Sequence, residues 1–435
     1  MQFGPLRQRN FALLWWAGLI SMAGNWTLKI ALPIYVLQLT GSAVATSAAV
    51  AAALAPVLLV GLVAGVYVDR WDRRKVMVTV SALQALVVLP LLAVDSAGSV
   101  WIVYAVLFCE SALAQFFMPA ENALLPKLVP DAQLPVANSL NALNNNIARL
   151  GGPALGGVLA AAIGLTGVVA VDAVSYAVAA LLISAIRGSF RATATTDATT
   201  DAVAAVAEPA ARPGVRRELA DGLRVIRHSP MTKAILVIAF LLSIGEGIMG
   251  GMFPIFVTGP LHGGVREVGW LMSAQAVGGV LGGLAGPLVA ARISTGRLAA
   301  LGLVFFGLID LAIFNYPRWA DVLWPELVMF AAVGIPSALG GAALMTLIQR
   351  AVSDEYLGRV FAVLLVAEST AGLGGAALAG AFADTVGVIA LLTIQGAVPL
   401  LCGIGFGFFV RRSGQVAEPE PAAVMSPATA AGEAR

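Results

Sequence analysis

Ionisable residues stand inside the long apolar stretches of this chain, where no charge is needed to keep a protein in solution. They are five acids and two bases: Glu110, Asp172, Glu246, Asp310, Glu368, Lys29 and Arg149. A charge in the middle of a lipid bilayer costs roughly 2.5–3.5 kcal/mol on insertion scales, so such residues are usually functional. A carboxyl whose proton affinity rises with burial and falls beside a cation or water can take up and release protons. The residue types therefore predict proton chemistry or recognition of a charged small molecule.

Glu246 is the acid that best fits this chemistry. It lies near the middle of its apolar stretch, between Gly245 and Gly247, where the backbone is unusually free to adjust. For Asp172 and Asp310, a structural role as partners of backbone or serine groups is an equally good interpretation.

The apolar stretches that hold these residues fill almost the whole chain. Of its 435 residues, 59% are hydrophobic and 11% are charged, whereas a soluble domain has about 25% charged residues. A helix needs about 20 apolar residues to cross a bilayer, and backbone polar groups in lipid are satisfied within such a helix. The sequence therefore predicts an all-α integral membrane protein with twelve transmembrane helices. Their predicted ranges are approximately 11–39, 43–68, 75–95, 100–120, 141–163, 166–187, 232–258, 266–291, 297–315, 322–347, 360–384 and 386–410.

The distribution of Lys and Arg predicts how the chain is oriented. With the amino terminus in the cytoplasm, 22 of the 26 basic residues fall in cytoplasmic loops and tails. This is a strong positive-inside bias. We therefore expect a multi-pass protein of a bacterial inner membrane with both termini in the cytoplasm.

The chain divides into two similar halves. At a constant offset of 223 residues, the two halves share Gly151/Gly374, Gly152/Gly375 and Gly157/Gly380. Such parallel repeats are typical of two-lobed transporters. We predict a six-helix lobe over 1–187, a cytoplasmic linker over 188–231, a second six-helix lobe over 232–411 and a disordered tail over 412–435. Within the linker, residues 215–228 have the pattern of an amphipathic helix on the membrane surface.

The loop between the second and third apolar stretches carries a motif of small, acidic and basic residues. Gly65, Asp69, Arg70, Arg73 and Arg74 have the spacing Gly-x-x-x-Asp-Arg-x-x-Arg-Arg. This resembles the signature loop of the major facilitator superfamily, in which the Asp and Arg lock the two lobes together on the cytoplasmic side. The chemistry suits that role, because a carboxylate accepts a charge-assisted hydrogen bond that exists in only one conformational state.

A second motif lies in the fifth apolar stretch. Gly152-Pro153-x-x-Gly156-Gly157 resembles the antiporter motif of exporters in the same superfamily. Two glycines four residues apart allow close helix packing, and a proline in a helix removes one hydrogen bond and kinks it. The resemblance implies that this helix seals one side of a central cavity. Packing alone is the alternative, since the same glycine spacing recurs elsewhere in the chain.

A third block, from Phe117 to Pro130, resembles the branch that contains the enterobactin exporter and the macrolide-efflux proteins. In this fold, spans one, four, seven and ten line the cavity, which favours Lys29, Glu110 and Glu246 as its charged residues. The resemblance also places Arg149 and Glu368 near the junction of the lobes, where they could pair. Asn25 marks a departure from the branch, because many relatives carry an acid near this position.

These features predict a secondary transporter, driven by the proton gradient without a cofactor, that exports an amphipathic drug, macrolide or siderophore by alternating access. An uptake symporter, a facilitator or a non-transporting sensor with the same fold remains the alternative. No HExxH, GxSxG or Walker A sequence is present, which argues against an enzyme or an ATP-driven pump. We expect no metal site and no nucleic-acid partner, and a monomer is sufficient for this mechanism.

Overall fold

The computed structural model describes residues 4–61, 64, 71–188, 190, 215–320 and 322–412, and within these ranges the chain consists of helices and short turns. Gly65, Asp69 and Arg70 lie outside the described residues, and so do the side chains of Arg149 and Pro153. The helices are α1 Arg9–Thr40, α2 Ala43–Leu59, α3 Arg73–Val87, α4 Val100–Leu124, α5 Leu134–Ser184, α6 Val215–His228, α7 Pro230–Thr258, α8 Val265–Ala290, α9 Thr295–Asn315, α10 Leu323–Ala351, α11 Asp354–Val386 and α12 Val388–Arg412.

In the described part of the chain, nine helices are long and apolar enough to cross a membrane, and α2 is a shorter apolar helix. The all-helical membrane fold is therefore confirmed, while the count of twelve spans stays a prediction.

Helix α5 contains both the fifth and the sixth predicted spans. Gly164 breaks its helical geometry with a φ of 63° and a ψ of −175°, a conformation that glycine adopts without a steric penalty. Gly152 and Asp172 both approach the same turn of α1, at Trp26 and Gly24 respectively. In a straight helix these two residues would be about 30 Å apart, so the chain folds back at Gly164. We call residues 134–163 and 165–184 the first and second arms of α5.

The two lobes pack together at one end of the bundle. Ser47 of α2 contacts α11, where a Cβ on Gly380 would lie 3.3 Å from the Ser47 Cβ. Ile34 of α1 belongs to a buried cluster that is otherwise built largely from the second lobe, including Met252 and Phe256. We call this the closed end; it carries the α1–α2 and α7–α8 turns.

At the opposite end, which carries the start of α1 and the end of α12, each lobe has a hydrophobic core of its own. One core is formed by first-lobe residues such as Phe11 and Leu124. The other is formed by second-lobe residues such as Leu347 and Phe406. We call this the open end, because the described residues of the two lobes share no core there.

The linker helix α6 is attached to the second lobe. Ile226 is 1% exposed within the core of that lobe. Asp221 forms an ion pair with Arg359 of α11 at 3.8 Å. Gly222 lies against the Arg359 backbone, since a Cβ at this position would stand 2.5 Å from the Arg359 carbonyl oxygen. Helix α6 is therefore held on α11 by close backbone contact, and its predicted position on the membrane surface stays a prediction.

We expect Gly222→Val to detach α6 from α11, because the added atoms would overlap a backbone that cannot move aside. Trypsin should then cleave after Arg224 and Arg227 much faster than in the wild-type protein, as followed by mass spectrometry. Gly358→Val is the matched control, because a Cβ on Gly358 meets nothing within 4 Å. Equal cleavage rates in the two variants would contradict the close contact at Gly222.

Candidate functional site

Among the described residues, each lobe contains a polar cluster that includes buried acids. The first, which we call the N-lobe cluster, consists of Asn25, Lys29, Gln84, Glu110, Asp172, Ser175 and Tyr176. Helices α1, α3, α4 and the second arm of α5 contribute these residues. The sequence prediction named four of them, and the fold brings those four together.

The hydroxyl of Tyr176 is the centre of the hydrogen bonds in the N-lobe cluster. It donates to a carboxylate oxygen of Glu110. It accepts from the Asn25 amide at 2.8 Å and from the Gln84 amide at 3.4 Å. Asn25 also donates to Glu110 at 3.4 Å. Buried polar groups are normally hydrogen-bonded, and the Glu110 carboxyl has two hydrogen-bond donors although it is buried.

Lys29 lies one turn beyond Asn25 and is close enough to Glu110 for electrostatic attraction. Its ammonium group also lies 5.4 Å from the centre of the Trp26 ring. In contrast to the buried Glu110 and Asp172, Lys29 is exposed. Lys29 therefore lies at the edge of the cluster, and its charge acts on Glu110.

Asp172 is fully buried in the same cluster but has no such partners. The Ser175 hydroxyl lies beside the Asp172 carboxyl but donates to the Asp172 backbone carbonyl at 2.8 Å, so the two carboxyl oxygens have no strong hydrogen-bond donor among the described residues. A Cβ on Gly24 of α1 would overlap both the Asp172 carboxyl and the Ser175 hydroxyl, so the glycine leaves room for this acid. The alternative structural role of Asp172, as a partner of a backbone or serine group, stays a prediction.

The second cluster, which we call the C-lobe cluster, consists of Glu246 on α7, Asp310 on α9 and Gln395 on α12. The Gln395 amide donates to Asp310 at 3.1 Å, and Asp310 and Glu246 are close enough for their charges to interact. Asp310 thus has a glutamine amide as a polar partner, and its alternative structural role, as a partner of backbone or serine groups, stays a prediction.

Glu246 and Gln395 line a cavity of about 160 Å³ between α7, α9, α10 and α12. Its remaining walls are mainly apolar or small, and include Phe306, Pro336 and Leu344. At about 30 Å³ per molecule, the space accommodates about five waters or a small polar group of a ligand. An acid in an otherwise apolar cavity is suited to bind a cation that carries apolar substituents.

The glycine motif of α5 makes two kinds of contact. Gly156 packs inside its own lobe, because a Cβ there would lie 2.8 Å from the Thr27 Cα, and a Cβ on Gly152 would lie closer still to the Trp26 Cβ. Gly157 packs across the lobes, because a Cβ there would lie 2.8 Å from the Gly269 Cα of α8. The motif therefore contributes both to packing within the first lobe and to the contact between the lobes at the closed end.

Of the predicted lock, the described structure contains Arg73 and Arg74. Arg74 donates to the carbonyl of Ile183 at 3.3 Å and also to the carbonyl of Ser184. These carbonyls end α5, where a cation is favourable for the helix dipole. In this state, the described hydrogen bonds of Arg74 therefore stay within its own lobe.

Glu368 lies on α11 outside both clusters and is exposed. Its predicted pairing with Arg149 falls outside the described side chains and stays a prediction.

The sequence prediction missed the neutral partners Gln84, Tyr176 and Gln395, and also two buried acids. Glu121 is 8% exposed, and Glu326 is fully buried with no hydrogen-bond partner for its carboxyl among the described residues. The signal in the sequence that could have identified such residues was the presence of amides and acids inside apolar stretches. Within the described residues, no three His, Cys, Asp or Glu side chains converge as a metal-binding group.

Comparison with known proteins gives matches over most of the chain. The family described as transmembrane secretion effector matches residues 1–431. Macrolide efflux protein A of Streptococcus pyogenes is 27% identical over 392 residues, covering 87% of this chain and 90% of that protein. Multidrug efflux pump Tap of Mycobacterium bovis is 27% identical over 404 residues, covering 90% of each.

Solved structures of transporters share the fold at lower identity. A bacterial homologue of the iron transporter ferroportin, in an inward-facing state, has a TM-score of 0.70 at 16% identity and covers 94% of this chain and 99% of that one. A bacterial homologue of the lysosomal transporter Spinster, inward-facing and unoccupied, has a TM-score of 0.66 at 16% identity and covers 94% and 98%. The fold thus has two lobes that are closed at one end and acids buried in each lobe, and the family match extends across the chain. The chain belongs to the transmembrane secretion effector family, within the major facilitator superfamily of membrane transporters.

Proposed function

We propose that this transporter exports an amphipathic, amine-bearing small molecule in exchange for protons. The observation that carries the proposal is the cavity beside Glu246, in which a carboxyl faces apolar walls. A protonated amine attached to an apolar scaffold complements such a cavity in both charge and surface. The resemblance to macrolide and multidrug efflux proteins supports export of this class of compound.

Alternating access follows from the arrangement of the lobes. The described contacts hold the lobes together at the closed end, through Gly157 and Gly269 on one side and Ser47 and Gly380 on the other. With the predicted orientation, the open end faces the cytoplasm, so this state would load a substrate for export. Rocking of the lobes would then release it on the opposite side, as in other two-lobed transporters.

Protons are the proposed energy source because both clusters contain acids held away from water. A carboxyl that is neutral in one state and ionised in another couples proton transfer to the conformational change. Export would then require that proton and substrate occupy the transporter in alternation.

Inside-out vesicles with an imposed proton gradient and a pH-sensitive dye test this proposal. We expect erythromycin, or another compound in a panel of lipophilic antibiotics and siderophores, to collapse the gradient in vesicles that contain the protein. Empty vesicles are the control. A gradient that no compound alters, with the protein folded and inserted, would contradict proton-coupled export of these compounds. Substrate movement without any proton response would instead indicate a facilitator.

A further inference from the structure

The two acids of the N-lobe cluster have unequal surroundings. Glu110 accepts hydrogen bonds from Tyr176 and Asn25 and faces Lys29. Asp172 is as deeply buried, yet among the described residues no cation faces it, and the neutral Ser175 hydroxyl beside its carboxyl donates to the Asp172 backbone carbonyl at 2.8 Å.

This difference decides which acid carries a negative charge. An ionised carboxylate that is buried without partners costs several kcal/mol, and protonation removes that cost. For Glu110 this cost is smaller, because two donors and a cation partly compensate its charge. Since Glu110 and Asp172 also repel each other when both are ionised, a single proton shared by the pair belongs on Asp172.

The charged and titratable groups around Asp172 support this assignment. Glu110 on α4 opposes a second negative charge, and Lys29 on α1 faces Glu110. Tyr176, one turn along the same helix, donates its only hydroxyl proton to Glu110 and leaves none for Asp172. Gln84 on α3 donates to that hydroxyl and fixes its direction.

We propose that Asp172 is the residue that binds and releases the transported proton, and that Tyr176 is a positioning residue that keeps Glu110 ionised. This inference rests on the proton-coupled function proposed above. In the state described here, Asp172 holds the proton as a neutral acid. Release breaks one O–H bond and transfers the proton to water, while the hydrogen bond from Tyr176 to Glu110 is kept.

Infrared spectroscopy of the protein in liposomes at neutral pH tests the assignment without a substrate. The carbonyl stretch of a protonated carboxyl distinguishes it from a carboxylate. We expect the difference between wild type and Asp172→Asn to show the loss of one protonated carboxyl. Glu110→Gln should lose a carboxylate signal instead. Tyr176→Phe should gain a second protonated carboxyl, because Glu110 loses its main donor. An unchanged carboxyl band in Asp172→Asn would overturn the proposal.

A measurement on the wild-type protein covers the case in which a variant fails to fold. Dicyclohexylcarbodiimide reacts with protonated carboxyls in apolar surroundings, and mass spectrometry locates the label. We expect the label on the peptide that contains Asp172 and not on the one that contains Glu110. The opposite distribution would overturn the proposal.

The vesicle assay separates a failure of this inference from a failure of the proposed function. If erythromycin collapses the proton gradient in the wild type and still does so in Asp172→Asn, another acid carries the proton. If no compound of the panel collapses the gradient in the wild type, the proposed function fails, whatever the infrared result.

Discussion

Alanine in place of Gly157 should shift the transporter away from the state that is closed at the end carrying the α1–α2 and α7–α8 turns. The new Cβ would lie 2.8 Å from the Gly269 Cα and 3.1 Å from the Val265 carbonyl oxygen, both on the backbone of the other lobe. Overpacking of this kind costs about 1–3 kcal/mol. Because the contact exists only while the lobes are closed here, the cost falls on one state and changes the ratio of states by about 5–150-fold.

Accessibility of a cysteine at position 47 measures this shift. Ser47 is 3% exposed between the lobes, so Ser47→Cys should react slowly with a maleimide while the closed end is shut. Cys109 and Cys402, the two native cysteines, would first be replaced by alanine. Labelling in detergent should be faster after Gly157→Ala by a factor within the range given above.

Gly151→Ala is the matched control for the Gly157 substitution. It makes the same change in the same helix, but a Cβ on Gly151 meets nothing within 4 Å. Its labelling rate should equal that of the Ser47→Cys parent. Equal rates in all three proteins would show that the contact at Gly157 does not hold the closed end shut.

The contrast between Gly157 and Tyr176 shows how much could be predicted from the sequence. The helices follow from hydrophobic stretches longer than a bilayer requires, and the glycine motif follows from spacing along one helix. Both are local properties of the chain. That Gly157 contacts the other lobe while Gly156 contacts α1 depends on which helices are neighbours and on how the lobes are arranged.

The same limit explains the incomplete prediction of the polar clusters. Glu110, Asp172 and Glu246 were found because a charge in an apolar run is conspicuous. Their neutral partners are not, since Tyr176 is 66 residues away from Glu110 along the chain and Gln395 is 85 residues away from Asp310. Only the packing of α3, α4, α5, α9 and α12 brings these groups within hydrogen-bonding distance.

Glu246→Gln should weaken binding of amine-bearing substrates. The variant keeps the shape of the side chain in the cavity but removes the negative charge that a protonated amine would meet. A hydrogen bond to a charged group contributes about 1.5–3 kcal/mol, and each 1.4 kcal/mol is about a tenfold change in affinity. We therefore expect KM for erythromycin, which carries an amine, to rise by about 10–100-fold in the vesicle assay.

Two controls separate the charge of Glu246 from other effects of the substitution. Asp384→Asn makes the same acid-to-amide change at an exposed site at the end of α11, and it should leave KM unchanged. An uncharged analogue of erythromycin should lose no affinity on Glu246→Gln, because it makes no ionic contact there. An equal rise in KM for the charged and the uncharged compound would show that Glu246 shapes the cavity without recognising the cation. If Glu246 instead carried the proton, Glu246→Gln would abolish the collapse of the proton gradient even at saturating substrate. If Glu246 only recognises the amine, saturating substrate still collapses the gradient in this variant.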